Sequence, residues 1–460
     1  MASAPSSPTQ TRKRSIVVTD TPKFDLESYI QNYKGRTRLE RLVLIGTSST
    51  FLGVDALKAA VIEAKQGQDV KKYVETVGHL QIIGPTEKEA VIDNAWVEKQ
   101  NKHNAAETNR LEHELKGYKN NLIKESIRMG NEDLGKHYQA IGDLAKAFEA
   151  YSRMRQDISI SKHIVDVSKH LIEVAIEQRN WLAVSTNVQK IRGNNPVSME
   201  EDKSLQPYLC AADGLAQMDS GEYYSAAHSF LATNSGLAPG QCSEIISQND
   251  IAIYGGLCAL ASMDRNELQR KVLDNSNFRS YLELEPHIRR AITFFVNSRY
   301  AQCLAILESY RADYLLDLHL QKHVDELYHL IRSKSIVQYF IPFSCVTLDN
   351  LNAQFAAPGK SIEKELVQMI ARKELDARID TQNRVVTAVP SDARARLQAS
   401  TLAVAREYER ELRRRILHMN IAEADLEVKN PKKHALATFG GADDWEDSMG
   451  AGRALRSFHG

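Results

Sequence analysis

Five cysteines in 460 residues, Cys210, Cys242, Cys258, Cys303 and Cys345, stand far apart and in odd number, with no Cys-x-x-Cys pair. This excludes a disulfide framework and the usual thiolate zinc sites, and the five are expected to be reduced, buried thiols of an intracellular protein. Net charge is absent as well, since 59 Lys and Arg stand against 59 Asp and Glu. No overall field therefore draws the chain to nucleic acid or to an anionic membrane, and neither is an expected partner. No apolar run is long enough to cross a bilayer, and the stretch from Met1 to Thr21, rich in Ser, Pro and Thr, lacks the apolar centre of a secretory signal. The expectation is a protein that stays inside the cell. Arg12-Lys13-Arg14 is a short basic cluster of the kind that serves nuclear import.

Catalytic signatures are missing too. Gly359-Lys360-Ser361 precedes a helix, but a phosphate loop needs a second glycine five residues before the Gly-Lys pair, where Gln354 stands. Without it the backbone cannot cradle a phosphate, and helix capping accounts for the segment. His319 and His323 are one helical turn apart, with Glu326 and His329 beyond, a spacing that suits zinc. Leu320 occupies the place of the zincin glutamate, however, and the histidines read as residues of a helix surface. There is no G-x-S-x-G and no G-x-G-x-x-G. A non-enzyme with no metal and no cofactor is the expectation.

What the sequence has in quantity is helical periodicity, on a composition that is 43% hydrophobic and so suffices for substantial cores. Ile160, Ile164, Val167, Leu171 and Val174 form one apolar stripe; Trp181, Val184, Val188 and Ile191 form the next, with Arg179-Asn180 between them, which predicts a helical hairpin. Leu111, Leu115, Tyr118 and Leu122 make another stripe after the polar stretch Lys99 to Asn109, whose surface should face water. Leu134-Gly135, Tyr138, Gly142, Ala147 and Tyr151 have the spacing of a tetratricopeptide helix pair, in which small residues admit a close approach and large ones fill the gap. Gly214, Gly221, Ala226 and Phe230 repeat that spacing, and Ser298, Tyr300, Cys303 and Leu307 echo it. The prediction is a stacked array of helical hairpins.

The texture changes after Ile341-Pro342. Cys345 to Leu348 reads as a short strand, Ser361 as the cap of a helix bearing Ile362, Leu366, Met369 and Ile370, and two antiparallel strands follow, Leu375 to Asp380 and Arg384 to Val389. Helix, helix, hairpin is the winged-helix plan. The candidate recognition helix balances Glu363, Glu365 and Glu374 against Lys364, Arg372 and Lys373, which makes it a poor phosphate ligand. A free hairpin edge, by contrast, is a docking surface for another chain's strand, and Arg378, Ile379, Asp380, Val385 and Thr387 are its candidate residues. A long helix from Ser391 to Met419 carries Leu397, Val404, Tyr408, Leu412, Ile416 and Met419 on a heptad-like seam that finds nothing to cover it within so small a module. A bundle with helices of sister subunits would cover it. The acidic, aromatic patch Asp443 to Asp447 lies in an aperiodic tail and reads as solubilising, with a docking peptide as the alternative.

The expected architecture is mainly α: a disordered tail over 1–23, a tetratricopeptide-like helical-repeat solenoid over 24–310, a helical linker and winged helix over 311–390, a bundle helix over 391–420 and a disordered acidic tail over 421–460. This combination resembles the PCI family shared by the proteasome lid, the COP9 signalosome and translation initiation factor three. The likeness runs over residues 24 to 420 and is carried by Tyr29, Tyr33, Gly35, Arg36, Arg38 and Arg41, by Leu134-Gly135, Tyr138, Gly142-Asp143 and Tyr151, and by Leu315-Leu316-Asp317, His323, Tyr339-Phe340 and Ala377 to Asp380. Within the family the signalosome branch is the nearer, through the segment Tyr29 to Leu42, and the proteasome regulatory lid is the alternative. The resemblance implies a non-catalytic scaffold in the complex that removes the ubiquitin-like protein Nedd8 from cullins, present in nucleus and cytoplasm, with the isopeptidase on another subunit. It further implies winged-helix edges paired with other PCI subunits, among them signalosome subunits two and three, a helical bundle shared with the metalloprotease subunits, an N-terminal arm reaching outward, and cullin-RING ligases as the target.

Overall fold

The computed structural model describes residues 16–158, 161–193, 199–233, 243–355, 361–389 and 393–426. They form two compact units, the first ending at Ala388 and the second beginning at Val389.

The first unit opens with α1 (Leu26–Gln31), α2 (Gly35–Ser48), α3 (Gly53–Gln66), α4 (Val70–Ile83) and α5 (Asn94–Asn121). Helix starts follow local chemistry: the side chains of Asp25, Asp69 and Asp93 each accept a first-turn N–H, of Ser28, Lys72 and Trp96 respectively. α5 packs Trp96 and Val97 on the N-terminal core at its start and buries Leu111 and Leu115 further on, while most of the polar stretch between them faces water and Leu122 ends the helix in a left-handed conformation rather than extending the stripe.

Three helical hairpins follow: α6 (Lys124–Ala140) with α7 (Leu144–Arg153), α8 (Ser161–Glu177) with α9 (Trp181–Gly193), and α10 (Met199–Asp219) with α11 (Tyr223–Leu231). Each turns through one left-handed residue, Gly142, Arg179 or Gly221. The next N–H closes each helix end on a carbonyl five residues back: Asp143 on Tyr138 at 2.9 Å, Asn180 on Ala175 at 2.8 Å, Glu222 on Gln217 at 3.0 Å. The close approaches inferred from the repeat spacing are present. A Cβ on Gly135 would stand 2.5 Å from the Tyr151 ring, and one on Gly214 would stand 2.8 Å from Phe230.

The array then reorganises around α12 (Gln248–Ser262), which is buried on nearly every side and, beyond Asp250, predominantly apolar. Around it come the single turn α13 (Arg265–Glu267), α14 (Ser276–Leu284), α15 (Pro286–Val296), α16 (Tyr300–Ser309), α17 (Arg311–Leu315) and α18 (Val324–Phe340). The third echo is a true hairpin, α15 with α16, turning through left-handed Ser298. The winged-helix module adds β1 (Cys345–Thr347), α19 (Leu348–Phe355), α20 (Glu363–Ala371), β2 (Ala377–Asp380) and β3 (Val385–Ala388). α19 was not expected. Ser361 acts near its expected place, its hydroxyl accepting the Glu363 N–H at 3.3 Å.

Two expected boundaries are corrected. One buried cluster runs continuously from Ile172 to Val386, so 310/311 is not a structural break: α12 packs on α18, and Tyr300, Tyr339 and Phe355 form a ring cluster joining the last hairpin to α19. Residues 16–23 are not a tail either, because Val18 is 4% exposed and bridges Ser49, its N–H on the Ser48 carbonyl at 2.7 Å. Of the cysteines, Cys210, Cys258 and Cys303 are buried, Cys345 is exposed against expectation, and Cys242 lies outside the described residues. The second unit consists, among its described residues, of α21 (Ala393–Glu423), a few residues longer than the periodicity predicts. The basic cluster, Gly359-Lys360 and the acidic patch lie outside the described residues.

Candidate functional site

The sheet of the winged helix has the order β1-β3-β2, with both neighbours antiparallel to β3. This corrects the expected edge. Val385 and Thr387 belong to the central strand, opposite Thr347 and Cys345 on one side and Asp380 and Arg378 on the other. The reason is non-local: β1, far upstream, pairs with β3 and covers the side that a lone hairpin would expose. The Ala388 N–H donates to the Ser344 carbonyl at 2.9 Å and the Leu348 N–H to the Arg384 carbonyl at 2.8 Å, so the even-numbered residues of β3 face β1 and the odd-numbered ones face β2. Arg378 and Asp380 therefore direct their main-chain groups at Thr387 and Val385. Of the five candidate edge residues, Ile379 alone turns its N–H and C=O to the free side of β2. On the opposite margin, Cys345 and Thr347 do the same for β1. Val386, at the centre, is fully buried.

α21 presents its seam openly. Leu397, Val404, Tyr408, Leu412, Ile416 and Met419 are between 41% and 69% exposed. Leu402 and Leu417, outside the seam read from the sequence, are exposed as well and widen the apolar surface. The ion pairs Arg413–Glu409, Arg414–Glu411 and Arg415–Glu411 lie within the helix, which leaves its charged residues solvated.

The family-like residues of the N-terminus and of the Asp317 turn converge on a buried polar hub. Arg41 of α2, wholly buried, donates to Asp250 Oδ2 at 2.8 Å and to Asp317 Oδ2 at 2.6 Å, donates also to the Tyr29 hydroxyl, and stacks on Tyr33 with 4.0 Å to the ring centroid. Tyr33 donates to Asp250 at 2.7 Å and Tyr254 to Asp317 at 2.5 Å, while the N–H groups of His319 and Leu320 donate to Asp317 at 3.0 and 2.9 Å. Burial alone would raise the Asp317 carboxyl; Arg41 foremost, with His319 and the Tyr254 hydroxyl, holds it below the usual carboxylate range. Asp250 is pushed up, by burial first and by the Asp317 charge, against the pull of Arg41. Far from reaching outward, the segment from Val18 through α2 folds back onto α12 and the 311–320 stretch. Lys34 N–H on the Ser243 carbonyl and Lys23 N–H on Asp313 extend that seam. Arg41 lies on the buried side of α2 with Thr37 and Ser48, a polar interruption of an apolar face that was the available signal.

The histidines correct another expectation. His319 and His323 lie in the turn before α18, not on its surface, and both are buried. His319 rests against Trp181 and Tyr254, and burial lowers its pKa to about 3. His323 pairs with Tyr223 at 3.2 Å, whereas His329 is exposed and meets Arg372. Among the described residues no group of three or more His, Cys, Asp or Glu is arranged to hold a metal ion, and no helix is long and apolar enough to cross a membrane. Two other strongly shifted groups serve structure. Lys334, lowered to about 8 by burial, donates to the Leu260 and Met263 carbonyls at the end of α12; Glu177, raised to about 7 by burial, accepts from Gln139.

Comparison with known proteins agrees with this architecture. Residues 93–271 match the family model of 26S proteasome subunit RPN7, and residues 307–388 match that of the PCI domain. The COP9 signalosome complex subunit 1 of Emericella nidulans is 53% identical over 427 residues, covering 90% of this chain and 85% of that protein. Its Arabidopsis thaliana counterpart is 38% identical over 427 residues, covering 92% and 95%. The 26S proteasome non-ATPase regulatory subunit 6 of Dictyostelium discoideum is a distant match, 23% identical over 310 residues, covering 67% and 80%. With identities of this size over most of both chains, and with helical repeats that run into a PCI domain, the chain belongs to the COP9 signalosome subunit 1 family of PCI-domain proteins.

Proposed function

We propose that this chain is a non-catalytic scaffold of the COP9 signalosome, which supports removal of Nedd8 from cullin-RING ubiquitin ligases by holding other subunits in place. The observation that carries the reading is the uncovered apolar seam of α21, six large side chains on one helix that remain open to water in the isolated chain. A heptad seam of this length is covered only by other helices, and the metalloprotease and PCI subunits supply them. The free margins of β1 and β2 offer main-chain pairing to neighbouring winged helices, subunits two and three among them. The charge of α20, Glu363 and Glu365 against Lys364 alone, and the balance of the whole chain disfavour a nucleic-acid role. The test is capture of the tagged full chain from cell extract with identification of its companions by mass spectrometry. Signalosome subunits are the expected companions; proteasome lid subunits in their place, or none, would refute the proposal.

A further inference from the structure

A cavity of about 360 Å³ lies beside the hub, walled by the segment before α1 on one side and by α15 and the 310–320 stretch on the other. Its chemistry is specific. Four aromatic rings, Phe24, Tyr29, Tyr310 and Tyr314, line it together with the carboxylates of Glu285 and Asp313. Asp250 and Asp317 also reach it, but both are committed to Arg41. Glu285 is met by the Asn249 amide at 2.7 Å and by His287 at 3.2 Å, and Asp313 accepts the Lys23 N–H at 2.8 Å. Arg290 is the other cation on the wall. Ring faces backed by carboxylates attract an alkylammonium group, since the negative face of each ring and the carboxylate charge act in the same direction.

The chain already uses this property on itself. Lys23 Nζ stands 3.9 Å from the centroid of Tyr310, a ring that also stacks on His287. The hold is light, because Lys23 is exposed and lies in an irregular stretch between the Val18 bridge and α1. Space remains beside it, and the volume lies within the range of sites that take small ligands or single side chains.

We propose that this cavity is a binding site for an alkylammonium group, whether a lysine of a partner segment or a small free amine, and that Lys23 acts as an internal competitor that withdraws on binding. No residue of the sheet margins or of α21 lines the cavity, so the proposal stands whether or not the assembly reading holds. The experiment is calorimetric titration of the full chain, wild type and Lys23→Ala, with n-butylammonium, with a lysine-bearing pentapeptide and with 1-butanol as the neutral counterpart. Removing the competitor should tighten n-butylammonium binding by about threefold, with no binding of 1-butanol. On the Lys23→Ala background Tyr310→Phe should keep the affinity and Tyr310→Leu should lose it, melting curves confirming that each variant is folded. Binding of the peptide as well as the amine assigns the site to a partner segment; binding of the amine alone assigns it to a small amine. No binding by Lys23→Ala, equal binding of 1-butanol, or affinity retained in folded Tyr310→Leu would overturn the proposal.

Discussion

Arg41 shows how one residue fastens distant parts of this chain. Its guanidinium shares its donors between Asp250 and Asp317, more than two hundred residues away in sequence, and its charge is what makes two buried carboxylates tolerable. Arg41→Met keeps the stem but strands both acids, and should cost about 3–5 kcal/mol in urea unfolding; a loss under about 1 kcal/mol would show that the hub adds little. His319 supplies a pH signature of the same region. Its folded pKa, about 3, lies below that of an unfolded imidazole, so its contribution is present above about pH 6.5 and is lost as pH falls toward 3. Asp250, raised by burial, acts in the opposite sense, which is why a comparison isolates the histidine. The stability advantage of wild type over His319→Gln should shrink by about 1.4 kcal/mol per pH unit between pH 6 and 4. An advantage that stays constant would place the imidazole in water. The residues of this hub were legible only as part of the family resemblance; their burial was not, because an arginine in a charged helix reads as surface, and burial here is set by contacts from α1, α12 and the Asp317 turn together.

At the scale of elements, the sheet gives the sharpest test. Ile379→Pro removes an N–H that β2 turns to its free side, the other, of Ala377, being taken by the Leu375 carbonyl, while leaving the hydrogen bonds of Arg378 and Asp380 to β3 intact, and proline is tolerated on an edge strand. The isolated variant should fold, and the companion that pairs with β2 should be lost on capture. Val386→Asp, at the buried centre, should instead unfold the module; if Ile379→Pro retained every companion, the β2 margin would not be an interface. Helix positions were largely readable from sequence, because a 3.6-residue period, aspartate caps and the Gly135/Tyr151 and Gly214/Phe230 spacings are local signals. The hairpin turns at Arg179 and Ser298 lack the glycine that marks Gly142 and Gly221, so only their stripes revealed them. Strand order was not readable. β1 reaches β3 across α19 and α20, and nothing in the residues of a three-residue strand specifies so remote a partner.

At the scale of the molecule, fold class and family were legible because they are spread over the whole length, in repeats, winged helix and final helix. The division into parts was less so: α12 and α18 weld repeat and winged helix into one core, and the segment before α1, read as a tail, closes against Ser49 and Asp313. Among the described residues, α21 exposes more large apolar side chains than any other element. The most direct measurement is therefore capture of the tagged chain carrying Leu412→Asp and Ile416→Asp together, with the thermal melt of the purified variant beside it. Because both side chains are exposed in the isolated chain, the melt should match wild type within about 0.5 kcal/mol, while the signalosome companions that join through the helical bundle disappear. A full set of companions on the doubly charged seam would contradict the account.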